Sequence, residues 1–162
     1  MERKTLEQMT ADEKRQIIRD LGGNTEHLLA ILLELQRASE HSCIDRATAE
    51  IVAEEVGLTP AKIWDVITFY AMLNDKPAGK YVLEVCNSTP CHYSRSDEIA
   101  DILKAELGIG MGETTPDGMF TLRFTPCVGM CEIGPVIKVK DEVYGNLTPE
   151  KIKALLADLR SR

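Results

Sequence analysis

Apolar residues recur every three or four positions through the first half of the chain, the spacing that lines one face of a helix. Leu28, Leu29, Leu32 and Leu35 form one such stripe, and Ala47, Ile51, Val52 and Val56 form another. Ile63, Val66, Ile67, Tyr70 and Leu73 form a third, which predicts a helix running on to Leu73. Polar residues that cap helices stand where each begins. Thr10 with Glu13 has the form of a capping box, Asn24 or Thr25 precedes the leucine stripe, and Thr59-Pro60 is an N-cap followed by a first-turn proline. Gly22-Gly23 and Gly57 stand at predicted ends, where a left-handed residue closes the last turn. These helices are expected to bury their stripes together in a bundle that offers no ligands.

At Asn74–Lys80, "NDKPAGK", the pattern changes. Tyr81–Cys86, "YVLEVC", is a β-branched run that predicts a strand ending on a cysteine. A helix is expected from Asp97 to Leu107, with Ile99, Ile102, Leu103 and Leu107 on one face. In "MFTLRFT" the residues Phe120, Leu122 and Phe124 alternate with polar neighbours, as in a half-buried strand. "VIKV" and "VYG", separated by Lys140-Asp141-Glu142, read as a tight hairpin, and Thr148-Pro149-Glu150 caps a last helix carrying Ile152, Leu155, Leu156 and Leu159. The expected class is α/β (α+β): a helical bundle over residues 1–77, then a β-α-β-β-β-α domain over 78–162. That order suits a thioredoxin-like layer of helices on a small mixed sheet.

With 162 residues, 44% hydrophobic and 28% charged, nothing points to disorder. The net charge of −7, from 19 basic against 26 acidic residues, argues against nucleic acid as a partner. No apolar stretch is long enough to span a bilayer, so no direct membrane insertion is expected. The polar start, Met1 to Gln16, has no apolar core of a secretory signal. A cytoplasmic location is the expectation, and there thiols stay reduced. Five cysteines in such a chain point to metal or redox chemistry before structural disulfides.

Four of them fall into two pairs. Cys86 and Cys91 are five apart, between a strand end and a helix start; Cys127 and Cys131 are four apart, in a loop between two later strands. Loops after strand ends are where α/β sheets collect ligands, so four thiolates can converge if the strands are neighbours. A dithiol oxidoreductase normally carries C-x-x-C at a helix N-terminus, a spacing that neither pair has. Zinc accepts four thiolates, and so does a 2Fe–2S cluster. Spacing alone leaves these two open.

The runs "GKYVLEVCNSTPCH" and "TPCVGMCEIGPVIKVKDEVYGNLTPEKI" resemble the thioredoxin-like 2Fe–2S subunit family of NADH dehydrogenase (complex I), shared with NAD-linked hydrogenases and formate dehydrogenases. "GLTPAKIWDVITFYAMLNDKPAGK" and "GETTPDGMFTL" look like the segments that lead into that domain and into its next strand, so the similarity runs from about Ile51 to Leu159. The resemblance implies that Cys86, Cys91, Cys127 and Cys131 hold one 2Fe–2S cluster, one pair to each iron. It also implies an electron-transfer subunit of an NADH-linked flavin oxidoreductase, with FMN and NADH on a partner subunit and further iron–sulfur subunits in the complex. Residues 1–77 would be the docking region. The chain departs from the family at Ser94-Arg95, where many relatives carry Arg-Gly. A structural zinc-binding assembly module and a stand-alone thioredoxin-like ferredoxin are the alternative readings.

The expected centre is anionic, so backbone N–H groups around Val128-Gly129-Met130 and at the helix start after Cys91 are expected to face the sulfurs. Gly129 suits a sharp, close-approaching turn; Pro90 and Pro135 are expected to stiffen the two loops. The glycines at 108, 110 and 112 form no dinucleotide fingerprint and no phosphate loop occurs, so no complete active site is expected on this chain. Cys43 reads as a small buried residue, His92 as a neighbour of the ligands rather than one of them, and His27 and His41 as surface or helix-end residues. Trp64 reads as core or contact surface, and Glu54, Glu55 and Glu98 as solvated faces.

Overall fold

The computed structural model describes residues 5–162; residues 1–4, the start of the polar stretch in which no secretory signal is expected, lie outside the described residues. The chain divides into two compact units, Met1–Pro77 and Ala78–Arg162.

The first unit is built from four helices, α1 (Ala11–Asp20), α2 (Leu28–Ala38), α3 (Arg46–Val56) and α4 (Pro60–Phe69). Three of them, α1, α3 and α4, start from a side chain that occupies otherwise unpaired N–H groups. Thr10 Oγ1 accepts from the Glu13 N–H at 3.3 Å while Glu13 Oε2 accepts from the Thr10 N–H at 2.7 Å. Asn24 caps a single 3-10 turn, Thr25–His27, which feeds α2. Asp45 and Thr59 cap α3 and α4, and Gly57 ends α3 in the left-handed conformation, φ 76°. Ile18, Ile31, Leu32, Leu35, Val52, Ile63 and Ile67 fill the interior.

Two expectations change here. Helix α4 stops at Phe69, and Tyr70 is extended. Leu73 still reaches the core, through a turn in which its N–H bonds to the Tyr70 carbonyl. The competing force is a tether: Gln36 Oε1 accepts from the Asn74 N–H at 2.7 Å, Asn74 Nδ2 donates to the Ser42 carbonyl at 2.7 Å, and the Asn74 carbonyl accepts from the Ile44 N–H. Glu55, expected as solvated, is half-buried, with Arg19 gripping both its oxygens at 2.9 Å, while Glu54 stays exposed as expected and meets Arg15 at 2.9 Å.

The second unit is a four-stranded mixed sheet of β1 (Tyr81–Cys86), β2 (Phe120–Thr125), β3 (Ile137–Val139) and β4 (Glu142–Tyr144), in the order β2-β1-β3-β4. Strand β1 pairs parallel with β2 and antiparallel with β3; β3 and β4 form the hairpin. Its helices are α5 (Thr89–Tyr93), α6 (Ser96–Leu107) and α7 (Pro149–Ser161). Leu83, Val85, Phe120, Leu122 and Ile137 share one core with Ile99 and Leu103 of α6 and with Ile152 and Leu156 of α7. Each fully buried side chain of this size contributes roughly 1.5–3 kcal/mol of transfer free energy.

Phe124 breaks the expected alternation and is 42% exposed, because it lies at the far end of an edge strand. The hairpin turn is Lys140-Asp141, one residue shorter than expected: Glu142 already belongs to β4, paired with Val139, and Lys140 takes φ 55°. Among residues that alternate away from the core, Glu84 of β1 is buried between Arg123 of β2, at 2.7 Å, and Lys138 of β3, at 3.2 Å, its partners in register. Among the described residues no helix is long and apolar enough to cross a membrane.

Candidate metal centre

Cys86 is the last residue of β1, and β1 lies in the interior of the sheet. Strand β2 runs parallel to it and ends level with it, Thr125 opposite Cys86; β3 runs antiparallel and so begins at the same edge. The Asn87 N–H bonds to the Thr125 carbonyl at 3.2 Å and the Cys86 N–H to the Val136 carbonyl at 3.1 Å. The loop from residue 126 to 136 must therefore leave on one side of Cys86 and return on the other. That loop carries Cys127 and Cys131.

Two residues after β1, Ser88 precedes the five-residue helix α5, which carries Cys91 on its buried side. Sequence reading placed no helix there, since Pro90 and the short length mask its signal. Cys86 and Cys91 are 1% and 2% exposed and pack together in one buried cluster. Cys127 and Cys131 are exposed, with their sulfurs 3.5 Å apart. The strand pairing brings the loop of Cys127 and Cys131 to the sheet edge at which Cys86 ends β1.

Backbone N–H groups are directed at these sulfurs. The Gly129 N–H donates to Cys127 Sγ at 3.4 Å, and Gly129 has φ 84°, a conformation that a side chain would strain. Burial opposes ionisation of Cys86, but hydrogen bonds from the backbone of Ser88 and Val128 and from Cys91 hold its thiol below the ordinary range. Burial, and then Cys86 beside it, push Cys91 up to about 11; the bond to Cys127 pushes Cys131 up.

A small apolar sheath surrounds the buried pair: Val136, Val128, Ile133 and Val143 pack on Cys86 and Cys91. Gly145, which nothing in the sequence pattern singled out, allows it. A Cβ there would lie 2.6 Å from the Ile133 side chain and carbonyl, and Ile133 follows Cys131 in a single 3-10 turn. The Gly134-Pro135 peptide that follows is cis.

The other candidates lie apart from the sulfurs. His92 is turned to Asp97, its Nδ1 2.8 Å from the carboxylate. Cys43 is in the first unit, half-buried rather than fully buried, and its N–H faces Ser39 Oγ. His27 bonds to Asn24, and Trp64 carries the Arg46 guanidinium over its ring at 4.6 Å. Exposed Glu98 lies 3.6 Å from Arg95.

The donor set, four cysteines in two pairs, is one that a two-iron centre can take. A tetrahedral zinc with sulfurs at about 2.3 Å would draw all four within roughly 3.8 Å of one another. Here Cys127 and Cys131 lie with sulfurs 3.5 Å apart, and among the described residues no group of three or more His, Cys, Asp or Glu is gathered to hold a single metal ion. A 2Fe–2S cluster would take two such cysteine pairs, one pair to each iron.

The family described as thioredoxin-like [2Fe-2S] ferredoxin matches residues 14–160. The chain is 32% identical over 157 residues to the NADP-reducing hydrogenase subunit HndA of Solidesulfovibrio fructosivorans, covering 97% of this chain and 91% of that one. It is 38% identical over 140 residues to NADH-quinone oxidoreductase subunit 2 of Thermus thermophilus, covering 86% and 76%. Its fold is similar to part of an NAD+-reducing [NiFe]-hydrogenase in the air-oxidised state, with a TM-score of 0.74 at 21% identity over 83% of this chain. The match spans 23% of that hydrogenase chain.

Proposed function

Because the chain belongs to the thioredoxin-like [2Fe-2S] ferredoxin family, we propose that Cys86, Cys91, Cys127 and Cys131 hold one 2Fe–2S cluster in it. The observation that supports this reading is that Cys86, at the end of β1, and the loop of Cys127 and Cys131 lie at one sheet edge. When bound, the cluster supplies one-electron transfer and no bond chemistry. The residues around it bind and tune. The N–H groups of Gly129, Val128 and Ser88 stabilise negative charge on the sulfurs, and Val136, Val128 and Ile133 keep water from the inner pair.

The chain acts as a small electron-transfer subunit of an NADH-linked oxidoreductase, as the names of its relatives in a hydrogenase and in NADH-quinone oxidoreductases support. The flavin and the nicotinamide belong to a partner subunit, and this chain takes its electron from there. The first unit is the docking region: at the end of α4, Phe69 is 78% exposed, with Tyr70 and Met72 beside it.

Purified protein tests the reading directly. A brown chain absorbing between roughly 400 and 550 nm and bleached by dithionite is expected. A colourless chain with one bound zinc would overturn it in favour of an assembly module. Co-purification with a larger flavoprotein is expected, and Phe69→Glu should weaken it while leaving the absorption unchanged. Purification without any partner would instead indicate a stand-alone carrier.

A further inference from the structure

The two cysteine pairs differ in one respect that their shared role does not require. Cys86 and Cys91 are closed off beneath Val136, Val128 and Ile133, whereas Cys127 and Cys131 stand exposed with sulfurs 3.5 Å apart. We propose that in the cluster-free chain Cys127 and Cys131 are a reversible oxidation site, closing to a disulfide under a small-molecule disulfide such as oxidised glutathione while Cys86 and Cys91 stay reduced.

Access decides which pair reacts. Thiol–disulfide exchange needs in-line approach of a reagent sulfur, which the buried pair denies and the exposed pair permits. Proximity decides the product. One cysteine attacks a sulfur of glutathione disulfide and expels one glutathione, leaving a mixed disulfide. The second cysteine is already beside it and displaces the other glutathione before a further reagent molecule arrives. Two cysteine thiols lose two electrons and two protons in all, and one glutathione disulfide becomes two glutathione thiols. Closing the gap to about 2.05 Å falls on side-chain rotation and on the loop's glycine hinge, Gly129, beside which an added Cβ would meet nothing within 4 Å. The closed pair offers no thiolate, so the site cannot be filled until a reductant reopens it, and the exposed thiols are shielded from deeper oxidation meanwhile.

The inference rests on the ligand assignment above only for the state in which these thiols are free. The test uses the full chain, stripped of metal under reducing conditions, desalted, and exposed to oxidised glutathione before acid quenching, alkylation and peptide mass mapping. The peptide holding Cys127 and Cys131 should be lighter by about 2 Da for the lost hydrogens and unalkylated, with Cys86 and Cys91 alkylated, and dithiothreitol should reverse the change. Cys131→Ser should instead trap a glutathione adduct on Cys127. A disulfide involving Cys86 or Cys91, a persistent adduct in the unaltered chain, or four alkylatable thiols would each overturn the proposal. Failure to take up iron and sulfide under reductant would overturn the cluster reading and leave this result standing.

Discussion

A sulfur ligand and a small buried cysteine are the same residue in a sequence, and only their surroundings separate them. Cys127 and Cys131 sit together in an exposed loop, whereas Cys43 sits in the first unit beside Ser39. Cys127→Ser or Cys131→Ser is therefore expected to abolish or reshape the visible absorption, and Cys43→Ser to leave it unchanged. Loss of the spectrum on the Cys43 change alone would mean the ligands are misassigned. Gly145 makes the matching steric prediction. Its missing side chain leaves the space that Ile133 fills, so Gly145→Ala should cost about 1–3 kcal/mol as overpacking and speed cluster loss, read by denaturant melting and by the decay of absorbance. The cysteine pairs were legible in the sequence. Gly145 was not, because a close approach between residues twelve apart leaves no mark on local pattern.

At the level of elements, start and stop signals were the most legible features. Thr10, Asn24, Thr59, Gly57 and Thr148 each stand at the boundary their chemistry predicts. Where the reading failed, a distant residue had intervened: the Gln36–Asn74–Ser42 tether ends α4 early, and the open edge of β2 leaves Phe124 in solvent. The junction of α5 and α6 carries a residual strain. Arg95 sits there at φ 67°, ψ 39°, the left-handed region that favours glycine. Its ion pair with Glu98 is exposed and at 3.6 Å adds little. Arg95→Gly should accordingly raise stability by about 0.5–1 kcal/mol, the left-handed penalty less the added chain entropy. The denaturation midpoint should move up with its slope unchanged; a fall would show that Arg95 has a contact worth more than its strain.

Over the whole molecule, charge sets the response to acid. Glu55 is held below the ordinary carboxylate range by Arg19, Asp117 by the Thr115 hydroxyl and Glu150 by its own N–H at the start of α7. Glu7 is lowered as well, burial being outweighed by hydrogen bonds from Ser39 and the Glu40 N–H. A carboxyl whose folded value is depressed adds stability above its unfolded value, and that stability is lost as pH falls through the folded one. The melting temperature should thus hold near neutrality and fall progressively below about pH 4.5. A melting temperature unchanged down to pH 3 would contradict these pairings. The sequence by itself determined most helices and strands, the cysteine spacing and the acidic balance, since capping, periodicity and composition act over a few residues. Only the tertiary structure decided that both cysteine pairs come to one sheet edge, because that depends on β1 lying between a parallel and an antiparallel neighbour. Strand order is chosen by burial across the whole sheet, and no local run of residues encodes it.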